Sequence, residues 1–381
     1  MAFPDITTAA ALMAAFAQRT GLDTEAAPVR YLWTDAFAVG NFQVLADAGA
    51  GVQFDALAQR TIEQVHAVLG HFRADDPREG WLRGAQGSAD DAHPTRAGLR
   101  IGKPLPERGA GDAIDGRLEW ERDGQYFHYL TRWMRALDRR ARDRGMPHLN
   151  RWARELADAA HRAFAYGAAG RRRMVWKMST DLSRPLVPSM GQHDPLDGLV
   201  AALTLRATAQ AQADRSGPTL DHAVADYAGM LEHSQLATAD PLGLGSLLMD
   251  AAQLELLLRA GVAASRPLLG RVLESALASL PHCALPLQAP AGERLGFREL
   301  GLAIGLGEVA RLAANAAEGP LADDPHGLRR IAALGAQAPL GQAITAFWWE
   351  PAHRAAPSWT AHRDINEVML ATALLTGLPA Q

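Results

Sequence analysis

Residues 242–258, LGLGSLLMDAAQLELLL, decide how the rest of the chain is read. Leu244, Leu247, Leu248, Met249, Leu254, Leu256 and Leu257 spread around a helical wheel instead of lining one side, so a helix here needs cover from several neighbours. Residues 54–72, FDALAQRTIEQVHAVLGHF, read the opposite way. Phe54, Leu57, Ala58, Thr61, Ile62, Val65, Val68, Leu69 and Phe72 recur at helical spacing, with Asp55, Arg60, Glu63 and Gln64 between them, which makes a one-sided amphipathic helix. The first type suits the inside of a helical protein and the second its outside.

Sorted this way, segments near 33–48, 123–138, 196–212, 242–260, 297–314 and 361–376 are inner helices. Segments near 5–19, 54–72, 149–167, 219–236, 267–280 and 325–335 are outer ones. Six of each predict one all-α domain over residues 1–381, an (α/α)6 toroid of inner and outer helices with long loops over one end. The inner segments also share a beginning: WTDAFAVGNF, RDGQYFHYL, HDPLDGLVAAL, DPLGLGSLL, FRELGLAIGL and HRDINEVML each carry a carboxylate in or before the first turn. Acids favour the positive end of a helix and offer capping oxygens, so part of this pattern is helix grammar. The segments 73–120 and 179–195 interrupt the pairing; their Trp, Pro and charged residues predict ordered loops.

Composition bounds the chemistry. Apolar residues at 48% and charged residues at 21% describe a protein able to bury a large core. The formal charge of −4, from 38 basic and 42 acidic residues, gives no global field for nucleic acid. The single cysteine, Cys283, excludes an internal disulfide and a cysteine-based zinc cage. No membrane span and no signal segment are read: Asp5, not a basic residue, precedes the apolar N-terminal stretch, and a cytoplasmic location is expected. No P-loop, dinucleotide fingerprint or HExxH occurs, so neither cofactor nor metal is expected, and DDPRE at Asp75–Glu79 reads as a turn because Pro77 interrupts it.

Four stretches concentrate chemistry at helix beginnings. RYLWTDAFAVGNF holds Tyr31, Trp33 and Asp35. GRLEWERDGQYFHYLTRW holds Glu119, Asp123, Gln125, Tyr126 and His128. MVWKMSTDLSRPLVPSMGQHDPLDG holds Trp176, Lys177, Asp181, Arg184, His193 and Asp194. AFWWEPAHR and SWTAHRDINEVM hold Trp348, Trp349, His362 and Asp364. Aromatic faces beside carboxylates suit a sugar, whose C–H face stacks on a ring while its hydroxyls need acceptors. Arg100, within HPTRAGLRIGKPLPER, and Arg184 could hold an anionic group on that sugar.

With six hairpins and these motifs at the inner-helix mouths, the chain resembles the six-hairpin glycosidase-like superfamily and is similar to the N-acylglucosamine 2-epimerase group, which shares the toroid. The resemblance implies a carbohydrate-active enzyme with a small-molecule substrate; the balanced charge and the lack of an apolar run of spanning length give no expectation of a nucleic-acid or membrane partner. A hydrolase of a small sugar, anionic or neutral, would use paired carboxylates, with Asp123 as general acid and Asp35 or Asp194 as partner, and His193 beside Asp194 as a further base. Trp33, Tyr126 and Trp176 would stack the ring. The alternatives are a sugar epimerase or isomerase working through His128, His193 or His362, and a toroid that binds without turnover. Residues 31–41, 119–128, 176–197 and 348–364 are expected to meet.

Overall fold

Caps and prolines divide the chain into helices. The computed structural model describes residues 6–84, 87–168, 170–232, 234–262, 265–283 and 288–376. Its helices are α1 (Ile6–Arg19), α2 (Leu32–Asp47), α3 (Gln53–Leu69), α4 (Gly116–Glu119), α5 (Phe127–Arg144), α6 (Pro147–Phe164), α7 (Asp194–Ala211), α8 (Asp221–Leu231), α9 (Pro241–Arg259), α10 (Arg266–Ser279), α11 (Gly296–Ala314), α12 (Pro325–Gly335), α13 (Ala338–Trp349), α14 (Pro351–Arg354), α15 (Pro357–Thr360) and α16 (Arg363–Thr376). The fold is all-α, and each of the twelve expected segments contains a helix. Asp240, Ser265 and Asp324 cap α9, α10 and α12 by accepting backbone N–H bonds, and each is followed within two residues by a proline in the first turn.

The strands are short: β1 (Arg83–Gly84), β2 (Gly87–Ser88), β3 (Gln125–Tyr126), β4 (Ala165–Tyr166), β5 (Arg173–Met174), β6 (Lys177–Met178) and β7 (Pro185–Val187). All pairs are antiparallel, with β6 between β3 and β7. This small sheet corrects one boundary. The helix expected from residue 123 begins at Phe127, because Gly124 takes a φ of 145° and Gln125 and Tyr126 pair with β6.

The chain divides into two compact units. One comprises Met1–Phe16, Val44–Gly51 and Gln235–Gln381, and the other Ala17–Gln43 and Val52–Ser234. In the first, α11 packs against α9, α12, α13 and α16. Its contact with α9 is built on glycine: a Cβ on Gly245 would lie 2.1 Å from the Gly301 carbonyl oxygen, and one on Gly305 would lie 2.5 Å from that of Gly245. The recurring LGLG and AIGL strings therefore let two backbones approach closely. At 19 residues and a mean hydropathy of 1.2, α9 is long and apolar enough to cross a membrane by composition alone, contrary to the reading that no segment is. Half of that stretch is buried inside the protein.

In the second unit α5, α6 and α7 pack on one another and α8 on α7. Asn150 of α6 donates to Asp138 of α5 at 2.7 Å and to the Leu205 carbonyl of α7 at 3.0 Å, so a satisfied polar contact fixes three helices in register. Within their described residues the long loops carry packed and hydrogen-bonded side chains. Phe72, Leu82, Ala89 and Ala97 form a satellite core with Trp81 against it. Arg78 ties the two loops together by donating to Asp76 and Glu107 of the first and Asp181 of the second, each at 2.8 Å.

Candidate functional site

Three of the four sequence stretches meet within the second unit, in a layer of rings at the beginnings of α2 and α5 and just before β6. Tyr126 stacks on Trp176 at 5.0 Å between centroids, and His128 lies nearly parallel to Trp176 at 5.9 Å. Trp33 meets His128 edge-on at 5.8 Å and Tyr129 at 5.3 Å. Tyr31 and Tyr129 share a hydroxyl–hydroxyl hydrogen bond of 2.6 Å. Trp33 and Tyr126 are buried behind the layer, whereas Tyr31, His128, Tyr129 and Trp176 keep accessible surface and Trp120, edge-on to Trp176, is 51% exposed. Trp120 was noted in the sequence only as part of a dense stretch. Tyr129 was missed, although it stands one position past His128 on the first turn of α5.

Burial sets the protonation of this layer. It pushes His128 down to about 3, with Arg132 adding to the effect, so the imidazole is neutral. Trp176 Nε1–H donates to His128 Nδ1 at 3.2 Å, which places the remaining ring hydrogen on Nε2. Burial raises Tyr31 to about 12 and Tyr126 still further, so both phenols keep their hydrogens. Lys103 sits with its ammonium 5.5 Å from the Tyr31 ring centroid, and burial lowers its pKa. Among the described residues no hydrogen-bond or ion-pair partner holds its Nζ.

Four of the carboxylates chosen from sequence, Asp123, Asp35, Glu119 and Asp181, are engaged by internal donors. Asp123 is fully buried: one oxygen accepts from the backbone N–H of Gly102 and Gly124, the other from Arg100 Nη1 at 2.5 Å. Asp35, 1% exposed, accepts from Arg30 Nη1 at 3.1 Å on one oxygen and from the Tyr31 N–H at 2.9 Å on the other. Glu119 accepts from Arg108 at 3.1 Å and Lys177 at 3.0 Å, and Lys177 also donates to the carbonyls of Glu119 and Arg122. Gln125 accepts from the Leu99 N–H and donates to the carbonyls of Ala97 and Thr180, a staple between loops that leaves no amide group for a ligand. Asp181 receives Arg78, Ser179 and Ser183, and Arg184 donates to the Arg108 carbonyl. Arg100, Glu119, Gln125, Lys177, Asp181 and Arg184, read from sequence as ligand contacts, thus hold the loops to one another.

At the start of α7, Asp194 is buried with the Gly191 N–H as a donor, and desolvation raises it to about 7. His193 is the residue before the helix and makes no side-chain cap. His66 accepts from Trp133 Nε1 in the core, where burial pushes it to about 3. The fourth stretch belongs to the other unit. There Trp348 is fully buried and donates from Nε1 to Glu299 at 2.8 Å, Trp349 lies 5.5 Å from the Arg354 guanidinium, His362 is exposed against Phe297, and Asp364 is half-buried on α16. Among the described residues no three His, Cys, Asp or Glu side chains cluster so as to ligate a metal.

No protein-family model and no curated protein sequence matches the chain. Among solved structures it is similar to the cellobiose 2-epimerase from Spirochaeta thermophila DSM 6192, at 14% identity and a TM-score of 0.47, over 90% of this chain and 86% of that one.

Proposed function

We propose that the ring layer of the second unit holds a sugar, and that its chemistry is proton transfer beside a sugar carbonyl, an epimerisation or isomerisation, instead of glycoside hydrolysis. The observation that carries this reading is the fate of the carboxylates. A general acid must come within about 2.6–3.2 Å of the glycosidic oxygen, yet Asp35 and Asp123 are buried with both oxygens already accepting from Arg and backbone donors. Neither reaches a ligand without breaking a buried ion pair.

His128 and Lys103 remain. A neutral imidazole with its hydrogen on Nε2 donates to the carbonyl oxygen of an open-chain sugar and polarises it, which acidifies the neighbouring C–H. Lys103, held below the usual lysine range and without a hydrogen-bond partner among the described residues, is the base for that proton. Tyr31, Tyr129 and Trp176 supply faces and hydroxyls for the ring.

The test is a panel of aldoses, ketoses and disaccharides incubated with the protein in D2O. NMR should show deuterium entering the carbon beside the carbonyl of one sugar, with His128→Phe and Lys103→Met each slowing it by at least about a hundredfold. Release of reducing sugar from a glycoside without deuterium uptake would establish hydrolysis in its place. Saturable sugar binding with neither reaction would leave a binding protein.

A further inference from the structure

Helix α6 carries a feature that the ring layer does not use. Arg151, Glu155, Asp158, Ala159, Arg162 and Ala163 recur at helical spacing and line two cavities, of about 480 Å3 and about 590 Å3, that follow each other along the helix. Twelve residues of helix separate Arg151 from Ala163, a span of roughly 18 Å. The two cavities differ in chemistry. The first is walled by Arg151, His93 and Glu155, and the second by Ala163, Tyr166, Met178 and Leu182. Arg96, from the ordered loop, lines both.

Charge pairing across this trough is unequal. Glu155 is matched by His93 at 2.7 Å and Asp158 by Arg162 at 3.0 Å. Arg96 and Arg151 form no ion pair among the described residues, and both are half-buried. Two cations therefore stand in the trough without an ion-pair partner among the described residues, while one Glu155 oxygen is itself buried without a donor. At the other end Tyr166 is 47% exposed over an apolar wall, and Leu182, on that wall, holds a φ of 59°, an uncommon conformation for a residue with a Cβ. Met178 faces this cavity, while the preceding Lys177 supports Glu119 beneath the ring layer, as alternation along β6 requires.

We propose that the α6 trough is a second ligand site, for a free amphipathic monoanion: an apolar body of aromatic or short-chain size lying against Ala163, Met178 and Tyr166, and one carboxylate or sulfonate on Arg96. The volumes fall within the range of small-molecule sites, and an unpaired guanidinium at the junction of a polar and an apolar cavity fits that ligand class. The site stands apart from the sugar reading and does not depend on it.

The full-length protein is titrated with 1-anilinonaphthalene-8-sulfonate and with N-phenyl-1-naphthylamine, the same rings without the charge. One saturable site for the sulfonate, displaced by octanoate, is expected. Arg96→Gln should weaken the sulfonate about tenfold and leave the uncharged dye unchanged, whereas Ala163→Phe, which fills the apolar end, should weaken both. The Arg96 side chain makes no ion pair among the described residues, so its removal should leave the fold intact, and a wild-type melting curve verifies this. Non-saturating dye uptake, failure of octanoate to compete, or equal affinities in wild type and Arg96→Gln would overturn the site. Loss of both dyes in Arg96→Gln would overturn the anion contact.

Discussion

Each unit contains a cluster in which aromatic rings crowd around charged groups at the beginning of an apolar helix, and the two clusters differ in what they leave open. In the first unit Arg294 lies 3.6 Å from the Phe347 ring centroid and donates through Nε and Nη2 to Glu299, which also receives Trp348 Nε1, while Trp359 stacks on Trp348 at 5.2 Å. Arg294, Glu299, Trp348 and Trp359 are all buried, and the carboxylate is fully engaged. In the second unit the carboxylates are equally engaged, but the layer above them keeps accessible rings, an imidazole N–H and an amine. Density of Trp, Glu and His in a sequence marks both clusters alike. What separates a core from a site is the group that remains unspent.

The comparison is tested hardest at Glu299. Replacing it by Ala leaves the Arg294 guanidinium buried without a counter-charge, which should cost about 3–5 kcal/mol. Urea unfolding reads that loss, and a change under about 1 kcal/mol would mean that the first cluster is not held together by its ion pair.

Asp123→Asn is the corresponding experiment in the second unit. Loss of the Arg100 pair should cost about 3 kcal/mol, and the Asn amide would also face backbone donors it cannot accept from through nitrogen. A general acid would respond differently, losing activity at unchanged stability. That outcome would return Asp123 to the role its position in the sequence suggested.

Asp194 belongs to neither pattern, since a buried carboxyl raised to about 7 favours its neutral form. Its folded value lies above the unfolded one, so between about pH 4 and pH 7 the native state holds more protons and this residue's contribution falls as pH rises. Asp194→Asn removes that slope and should be more stable than wild type at pH 8 by something on the order of 1–4 kcal/mol, with little difference at pH 4. His66 and His128, both pushed to about 3, act in the opposite sense: the unfolded state takes up protons first as pH falls below about 6.5. The difference between variant and wild type at each pH isolates Asp194 from them.

The helices were legible because apolar residues recur at helical spacing, and each of the twelve segments found that way contains a helix. The additional helix α13 was read as a motif instead, since AFWWE draws attention to its rings and its buried Ile344, Thr345 and Trp348 are few. Site residues split along a physical line. Tyr31, Trp33, Tyr126, His128 and Trp176 converge because they follow helix and strand beginnings that the pattern locates. The engagement of Asp123 by Arg100, of Glu119 by Lys177 and of Asp181 by Arg78 joins residues 23, 58 and 103 positions apart, and no periodicity encodes such pairs. The ligand roles read from the sequence for these charged residues took no account of such internal partners.

The smallest effect concerns the bond that makes the second cluster a site. Trp176→Phe keeps the stacked ring but removes the donor to His128 Nδ1, a loss of about 0.5–1.5 kcal/mol at most. Stability is the wrong readout, because the consequence lies in the tautomer. In wild type, two-bond 1H–15N correlations should show one protonated nitrogen, Nε2, unchanged across pH 5–8, since burial keeps the ring neutral. Without the indole N–H nothing selects that tautomer, so the variant should show exchange between both nitrogens while the ring remains neutral. Catalysed deuterium uptake should then fall in proportion to the lost Nε2–H population. Unchanged correlations in Trp176→Phe would mean that another group orients the imidazole, and the unspent donor that distinguishes the second cluster from the first would have to be sought elsewhere in the layer.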